Sequence, residues 1–285
     1  MPEGPEVQLI RDFLAKKVLK KKIVEATILH PKITMPFKGK RQERSLLANR
    51  LLSCSFTKIE RKGKYLVFYT NNSNYMLAHL GMTGCFFIAE NLGKIPLAYR
   101  KHVHFWLVFE DFSKLFYADI RRFGWLGFLT KEEYLAYSPI WNIGVDPLRD
   151  PSEEYFLTKL QAKPLSSYPI KKVIMRPDVV AGVGNIYACE SLYKAKVSPF
   201  SRPFKIPLDV LKNIYKSIRE TLSLALKYGG SSIKDYVNSE GKKGSFQNYH
   251  LVYKKEKCVN CMEDIKNVKL DGRSTFYCSF CQVEY

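Results

Sequence analysis

Four cysteines near the end of the chain carry the clearest chemical signal. Cys258 and Cys261 form one Cys-x-x-Cys pair, Cys278 and Cys281 form a second, and 16 residues lie between the pairs. Each such turn presents two thiolates to one ion, and two of them complete a tetrahedral S4 shell of the kind that holds Zn2+. Four protein ligands leave no open coordination position, so the ion expected here is a single structural zinc. A segment this short buries too little apolar surface to fold alone, and the metal would supply its folding energy. Four buried or redox thiols are the alternative reading of the same residues. Cys54, Cys85 and Cys189 fit no such pattern and read as small core residues.

The elements that must position this tail follow from hydrophobic periodicity. Over 5–18, Val7, Ile10, Phe13, Leu14 and Val18 recur at helical spacing, and Lys20-Lys21-Lys22 reads as a solvated helix end. From 23 to 129 the pattern changes to short β-rich runs at 51–59, 65–69, 75–80, 102–109 and 115–118, divided by turn clusters such as Thr70-Asn71-Asn72-Ser73-Asn74. That predicts a sandwich or barrel preceded by one helix. The stretch 138–152 holds three prolines and a glycine and reads as a hinge. Helical patterns dominate beyond it, at 153–163, 186–195 and 208–228, and Gly229-Gly230 closes the last of them. The fold class is α+β.

Charge narrows the partner. Lys and Arg outnumber Asp and Glu by 46 to 27, a formal net charge of +19. So large an excess costs self-repulsion on folding and points to a polyanion. An acidic membrane surface is the competing partner, but no apolar run reaches spanning length and no basic amphipathic anchor stands apart. Met1-Pro2-Glu3-Gly4-Pro5-Glu6 does not resemble a signal peptide, so a cytoplasmic or nucleoid-associated, non-secreted protein is expected. Nucleic acid is the favoured partner.

Taken alone, Pro2-Glu3-Gly4-Pro5-Glu6-Val7 is a helix start, since prolines and acids suit a first turn. Its company changes the reading. In order follow Arg61-Lys62-Gly63-Lys64-Tyr65, His79-Leu80-Gly81-Met82-Thr83-Gly84, Asp119-Ile120-Arg121-Arg122-Phe123-Gly124, Ala181-Gly182-Val183-Gly184-Asn185-Ile186-Tyr187 and Gly272-Arg273-Ser274-Thr275-Phe276-Tyr277-Cys278. With the cysteine tail, these closely resemble the formamidopyrimidine-DNA glycosylase and endonuclease VIII family of base-excision enzymes, over essentially the whole of 2–282.

The resemblance implies an N-terminal helix and β-sandwich catalytic domain at 2–135, a hinge at 136–152, a helix–two-turn–helix domain with a lesion-capping loop at 153–246, and a zinc β-ribbon at 247–285. It implies a monomer that takes double-stranded DNA containing oxidised bases or abasic sites in the cleft between its halves. The activity it implies is that of a bifunctional DNA glycosylase and abasic-site lyase, which removes oxidised purines (formamidopyrimidine, 8-oxoguanine) through a Schiff base on the N-terminal proline with β,δ-elimination. Pro2 would be the nucleophile once Met1 is removed; ordinary α-amines have a pKa of about 7.7–8, so a neutral fraction exists at neutral pH. Glu3 would be the acid/base partner at the sugar, and Glu6 would hold the N-terminus. For both, a plain ion pair is the simpler alternative.

By the same resemblance Lys64, on an N-domain strand, would assist β-elimination, and Arg273 in the ribbon hairpin would grip the target phosphate and serve δ-elimination. Its guanidinium forks naturally onto phosphate oxygens. Met82, Arg121 and Phe123 would fill the gap left by the extruded nucleotide, with Arg121 on the estranged cytosine. Methionine and phenylalanine can wedge base steps, although core packing is the alternative for both. Asn185, opening a helix whose N–H groups favour phosphate, and His102 would contact the DNA backbone. A satisfied strand histidine is the alternative for His102, and an idle surface loop the alternative for 231–244.

Some residues depart from the pattern. Gly4 is more usual in the endonuclease VIII branch, Ile120 replaces a common proline, Cys189 stands where an acidic or small residue is frequent, and Met175-Arg176-Pro177 is unusual before the glycines. An endonuclease VIII-like enzyme for oxidised pyrimidines is therefore an alternative, as is a non-catalytic zinc-stabilised DNA-binding protein. The latter would be free to lose Pro2, Glu3, Lys64 and Arg273, and all four are present.

Overall fold

Tyr65-Leu66-Val67-Phe68-Tyr69 reads as an unbroken apolar run because the strand it forms is buried on both faces. In the computed structural model, which describes residues 2–231 and 244–285, Leu66 and Phe68 enter one core while Tyr65, Val67 and Tyr69 enter another. Successive side chains of a strand point to opposite faces, so a sheet covered twice needs apolar residues at every position.

The chain forms two compact units. One gathers Pro2 and Glu6–Trp141 with Ser231 and Gly244; the other gathers Glu3–Pro5, Asn142–Gly230 and Ser245–Tyr285. The strands of the first unit are β1 (Ile23–Ile28), β2 (Pro36–Phe37), β3 (Lys40–Arg41), β4 (Phe56–Lys62), β5 (Tyr65–Thr70), β6 (Tyr75–His79), β7 (Gly84–Ala89), β8 (Val103–Phe109), β9 (Lys114–Asp119) and β10 (Trp125–Leu129). They form two four-stranded antiparallel sheets, β1-β8-β9-β7 and β10-β6-β5-β4, and a small β2-β3 hairpin. Phe86, Phe105 and Phe116 from one sheet join Phe68, Met76 and Phe128 from the other in the main core. Each such side chain contributes about 1.5–3 kcal/mol on burial.

Helix α1 (Gly4–Val18) packs Val7, Ile10, Leu14 and Val18 into that core, as its 3.6-residue period predicts. Arg11 Nε donates to Ile59 O at 2.8 Å and the buried Arg61 donates from Nε to Gln8 Oε1 at 2.8 Å, so two guanidinium groups pin α1 to β4. Helix α2 (Arg44–Leu51) and the short α3 (Leu97–Arg100) interrupt the strands, and α4 (Lys131–Leu135) and α5 (Ser138–Trp141) follow them. The strand expected over 51–59 is shorter than its apolar pattern. Leu51 ends α2, Ser53 reverses the chain at a φ of 63°, and β4 begins only at Phe56. Strand β1 escaped the period-two reading because its register shifts between Ile23 and Glu25, which breaks the alternation.

The second unit contains α6 (Glu154–Gln161), α7 (Ile170–Ile174), α8 (Asn185–Lys194) and α9 (Leu208–Lys227), then the hairpin of β11 (Lys266–Leu270) and β12 (Arg273–Tyr277). Helix α9 buries one stripe, Leu211, Ile214, Ile218, Leu222 and Ala225, and ends where Gly229 and Gly230 take φ of 74° and 81°. Helix α8 differs. It is buried from Ile186 to Tyr193, so its charged groups depend on partners inside the protein, as Glu190 does on the N–H groups of 251–253. Among the described residues no helix is long and apolar enough to cross a membrane.

Candidate active site and metal centre

The N-terminus of α8 receives the Glu3 carboxylate. Glu3 is 3% exposed, and its oxygens accept N–H bonds from Gly184 at 2.7 Å, Ile186 at 3.1 Å and Tyr187 at 3.4 Å. An anion at the first turn satisfies orphan N–H groups and meets the positive end of the helix dipole. The glycines make room for it. A Cβ on Gly184 would lie 2.3 Å from Glu3 Cδ, and Gly182 turns at a φ of 82°. Gly4 N donates to Gly182 O at 2.8 Å, and a Cβ on Gly4 would come within 3.1 Å of Gly182 Cα. Gly4 thus serves backbone packing. Three N–H groups at this helix start, those of Gly184, Ile186 and Tyr187, are spent on Glu3.

Asn185 reaches the ribbon. Its Nδ2 donates to Ser274 O at 2.9 Å, and its Oδ1 accepts from Lys171 Nζ at 2.7 Å. Lys171, 1% exposed, also donates to Thr275 Oγ1 at 2.7 Å and Ser274 O at 3.4 Å. Burial pushes its ammonium below the ordinary lysine range, and the Arg273 charge adds to that. Between β11 and β12 the turn is Asp271-Gly272, with φ of 51° and 71°, the pair of positive values a two-residue hairpin loop prefers. Arg273 follows at once, exposed, at the first position of β12. Lys172 Nζ meets Asp271 Oδ2 at 2.7 Å and fixes the other side of the turn. Sequence reasoning missed Lys171. It is one of two adjacent lysines, and nothing local tells which is buried.

In the first unit, Met82, Arg121 and Phe123 come together on two touching turns. A Cβ on Gly81 would lie 2.4 Å from Gly124 N, so backbone packs directly on backbone. The fully buried Asp119 organises both turns. It accepts from Thr83 Oγ1, from Arg121 N at 3.2 Å and from Gly124 N at 2.8 Å. Phe123 is 56% exposed, an unusual fate for phenylalanine, and the Arg121 guanidinium lies 4.5 Å over its ring. His102 is half-buried at the entrance to β8, and its carbonyl accepts from Asp119 N at 3.0 Å. Its neighbour His104 is the satisfied core histidine, with Nε2 3.1 Å from Asp119 O.

Lys64 lies in the two-residue Gly63-Lys64 turn between β4 and β5, not on a strand. Gly63, at a φ of 58°, sets that turn, and Arg61 Nη1 holds its carbonyl at 3.0 Å. Close by, His79 stacks on Trp125, and burial together with the Lys64 charge lowers its pKa to about 4. His79 Nδ1 accepts from Gly81 N at 3.3 Å, which leaves Nε2 as the protonated nitrogen of the neutral ring. Glu6, 2% exposed, accepts from Ser231 N at 2.7 Å. Pro2 is buried in the chain that carries Met1. The expected capping loop lies, apart from its end residues, outside the described residues; beside it, Ser245 N and Phe246 N donate to Tyr228 O and Gly230 O.

The four cysteine Sγ atoms of the tail lie within 4.8 Å of one another, with Cys258–Cys281 at 3.8 Å and Cys261–Cys278 at 3.5 Å. Sulfurs about 2.3 Å from a tetrahedral ion are about 3.8 Å apart, so the set fits Zn2+. Helix α8 supports it. Tyr193 OH lies 3.1 Å from Cys258 Sγ, and Glu190 accepts N–H bonds from Leu251, Val252 and Tyr253 at 2.7, 3.0 and 2.7 Å. Cys189 packs against the same cluster, and Cys54 and Cys85 are buried in the sandwich core.

Residues 1–126 match the formamidopyrimidine-DNA glycosylase N-terminal domain, and residues 143–237 match the formamidopyrimidine-DNA glycosylase H2TH (helix–two-turn–helix) domain. The formamidopyrimidine-DNA glycosylase of Rickettsia felis is 36% identical over 99% of this chain and 98% of its own length; that of Wolbachia pipientis is 34% identical over 99% and 100%. The Lactococcus lactis enzyme, solved in complex with DNA containing an abasic site, superposes with a TM-score of 0.85 at 32% identity, over 99% of this chain and 100% of that one. The same enzyme bound to DNA containing an oxidised pyrimidine also matches with a TM-score of 0.85, at 32% identity over 99% of each chain. This chain therefore belongs to the formamidopyrimidine-DNA glycosylase family of base-excision DNA glycosylases.

Proposed function

We propose that this chain is a bifunctional DNA glycosylase and abasic-site lyase that excises oxidised purines, with the Pro2 amine as nucleophile. The observation that carries this reading is the seating of Glu3. Evolution of a tight glycine pocket around the residue next to Pro2 makes sense if the first residues of the mature chain must be held in one place. Removal of Met1 converts the Pro2 nitrogen from an amide into a secondary amine. That amine attacks C1′, the glycosidic bond breaks and the base departs with a proton. Opening of the sugar ring, with Glu3 taking up a proton from solvent and passing it to the ring oxygen, leaves an iminium. The positive nitrogen acidifies the C2′ hydrogen; its loss expels the 3′ phosphate, and a second elimination expels the 5′ phosphate. Lys64 assists the first elimination and Arg273 the second, while Asn185 holds the strand that carries Arg273.

Met82, Arg121 and Phe123 fill the space of the extruded nucleotide, as the exposed Phe123 ring suits. His102 contacts the backbone of the double-stranded DNA. Cys258, Cys261, Cys278 and Cys281 hold one Zn2+ whose contribution is to fold the ribbon. Gly4 does not argue for the pyrimidine branch, because its place against Gly182 explains it. Pyrimidine lesions are a second substrate class, favoured by the L. lactis relative's complex with oxidised-pyrimidine DNA. Borohydride trapping on 8-oxoguanine duplex tests the reading: a covalent adduct is expected, and none with Pro2→Gly. An undiminished adduct with that variant contradicts it.

A further inference from the structure

The unusual Met175-Arg176-Pro177 segment lines a cavity of about 340 Å3 in the second unit, together with Lys172, Asp271 and Arg273. Three exposed or half-exposed cations thus share one concavity with a single lining carboxylate. Lys171, which also borders the cavity, is committed to three oxygens of the hairpin seat. Lys172 Nζ meets Asp271 at 2.7 Å, which uses one of its three donors. Arg176 donates Nε to Asp178 Oδ1 at 3.0 Å and Nη2 to Oδ2 at 2.9 Å, which uses two of its five. Asp271 and Asp178 answer part of this charge, both side chains keep N–H groups to give, and the cations still outnumber the one carboxylate that lines the concavity.

We propose that this cavity is a second phosphate site, in which Lys172 and Arg176 take the backbone phosphate next along the strand from the one that Arg273 grips. The inference rests on the proposed function, since it presumes a DNA strand at Arg273. The ligand is a phosphodiester oxygen pair. A guanidinium and an ammonium already oriented by Asp178 and Asp271 bind such a group with little further ordering. The volume, several times the ~30 Å3 of one water, leaves room for the attached sugar. These contacts carry no base specificity. They add to affinity and to its salt dependence.

The test is equilibrium binding of the full-length protein to a duplex carrying a tetrahydrofuran abasic-site analogue, measured against KCl concentration. Each phosphate contact adds about 0.9 to the slope of log K against log salt. Lys172→Gln with Arg176→Gln is expected to reduce the slope by about 1, the contribution of one phosphate. The charge-conserving pair Lys172→Arg with Arg176→Lys is expected to keep it, as is Lys205→Gln, a neutralisation outside the cavity. A wild-type slope in the glutamine double variant, with its melting temperature intact, overturns the site. If that variant does not fold, a reduced slope in the charge-conserving pair overturns it instead. Failure of the wild type to form a borohydride adduct sinks the proposed function, a separate result from an unchanged slope in a protein that traps normally.

Discussion

The Glu3 carboxylate sits 2.7 Å from Gly184 N, and a single methyl group on Gly184 would lie 2.3 Å from Glu3 Cδ. These two residues are 181 positions apart in the chain. The Gly-x-Gly turn therefore has a structural duty that its sequence only hints at: it is the socket for Glu3.

Gly184→Ala is accordingly expected to displace Glu3. Overpacking in a buried site costs about 1–3 kcal/mol, so a modest fall in melting temperature should accompany a much larger loss of base excision. Glu3→Gln keeps the shape but cannot transfer the proton, and general acid–base contributions of about 10^2–10^4-fold set the expected loss of excision rate. Single-turnover excision measured beside thermal melting separates the two effects. A Gly184→Ala protein with wild-type excision would contradict the socket.

Asp119 holds the wedge turns through the N–H groups of Arg121 and Gly124. Asp119→Ala leaves the buried Gly124 N–H unpaired, at about 1–3 kcal/mol, while Arg121 N keeps Thr83 Oγ1 at 3.0 Å. It is expected to lower stability and also to erase the preference for excision opposite cytosine. Arg121→Ala should reduce that preference by about 10- to 100-fold, the worth of one good base contact, with little change in melting temperature. Excision opposite each of the four bases is the measurement.

Metal analysis should find one zinc per chain, and chelation should abolish strand cleavage. The ribbon that carries Arg273 has a small core that includes the four cysteines, whereas the sandwich has its own. Tyr193→Phe removes the hydroxyl 3.1 Å from Cys258 Sγ and is expected to lower zinc affinity about 10- to 100-fold. Competition with a chromogenic chelator reads it directly.

Acid should destabilise the protein through two buried imidazoles. Burial first, and neighbouring lysines next, lower His79 and His250 to about 4. An unfolded histidine titrates near 6.5, so between pH ~6.5 and ~4 the unfolded state binds protons that the native state refuses. Stability is therefore full above pH ~6.5 and declines as pH falls towards ~4, by up to about 3 kcal/mol for each histidine. Urea midpoints across this range should flatten in His79→Gln and His250→Gln. Parallel curves for wild type and variants would contradict the assignment.

Much of this was legible in the residues. The spacing of the paired cysteines marked the four that gather, α1 followed from Val7, Ile10, Leu14 and Val18, and the motifs around Met82, Arg121 and Phe123 marked two turns that touch. What escaped is long-range. Lys171 and Thr275 are 104 residues apart, and only the fold makes the buried one of two adjacent lysines meet the ribbon. Lys64 looked like a strand residue, although the preceding Gly63 was a local signal of the turn. Asn185 was legible as a helix opener, but the occupant of that helix end was Glu3, from the far end of the chain.

The central claim is a bond between the Pro2 nitrogen and a deoxyribose carbon. Peptide mapping by mass spectrometry of the borohydride-trapped complex tests it most directly. The account expects the adduct on an N-terminal peptide that begins at Pro2 and lacks Met1. An adduct on Lys64 or any other lysine, or a trapped chain that still carries Met1, would contradict it.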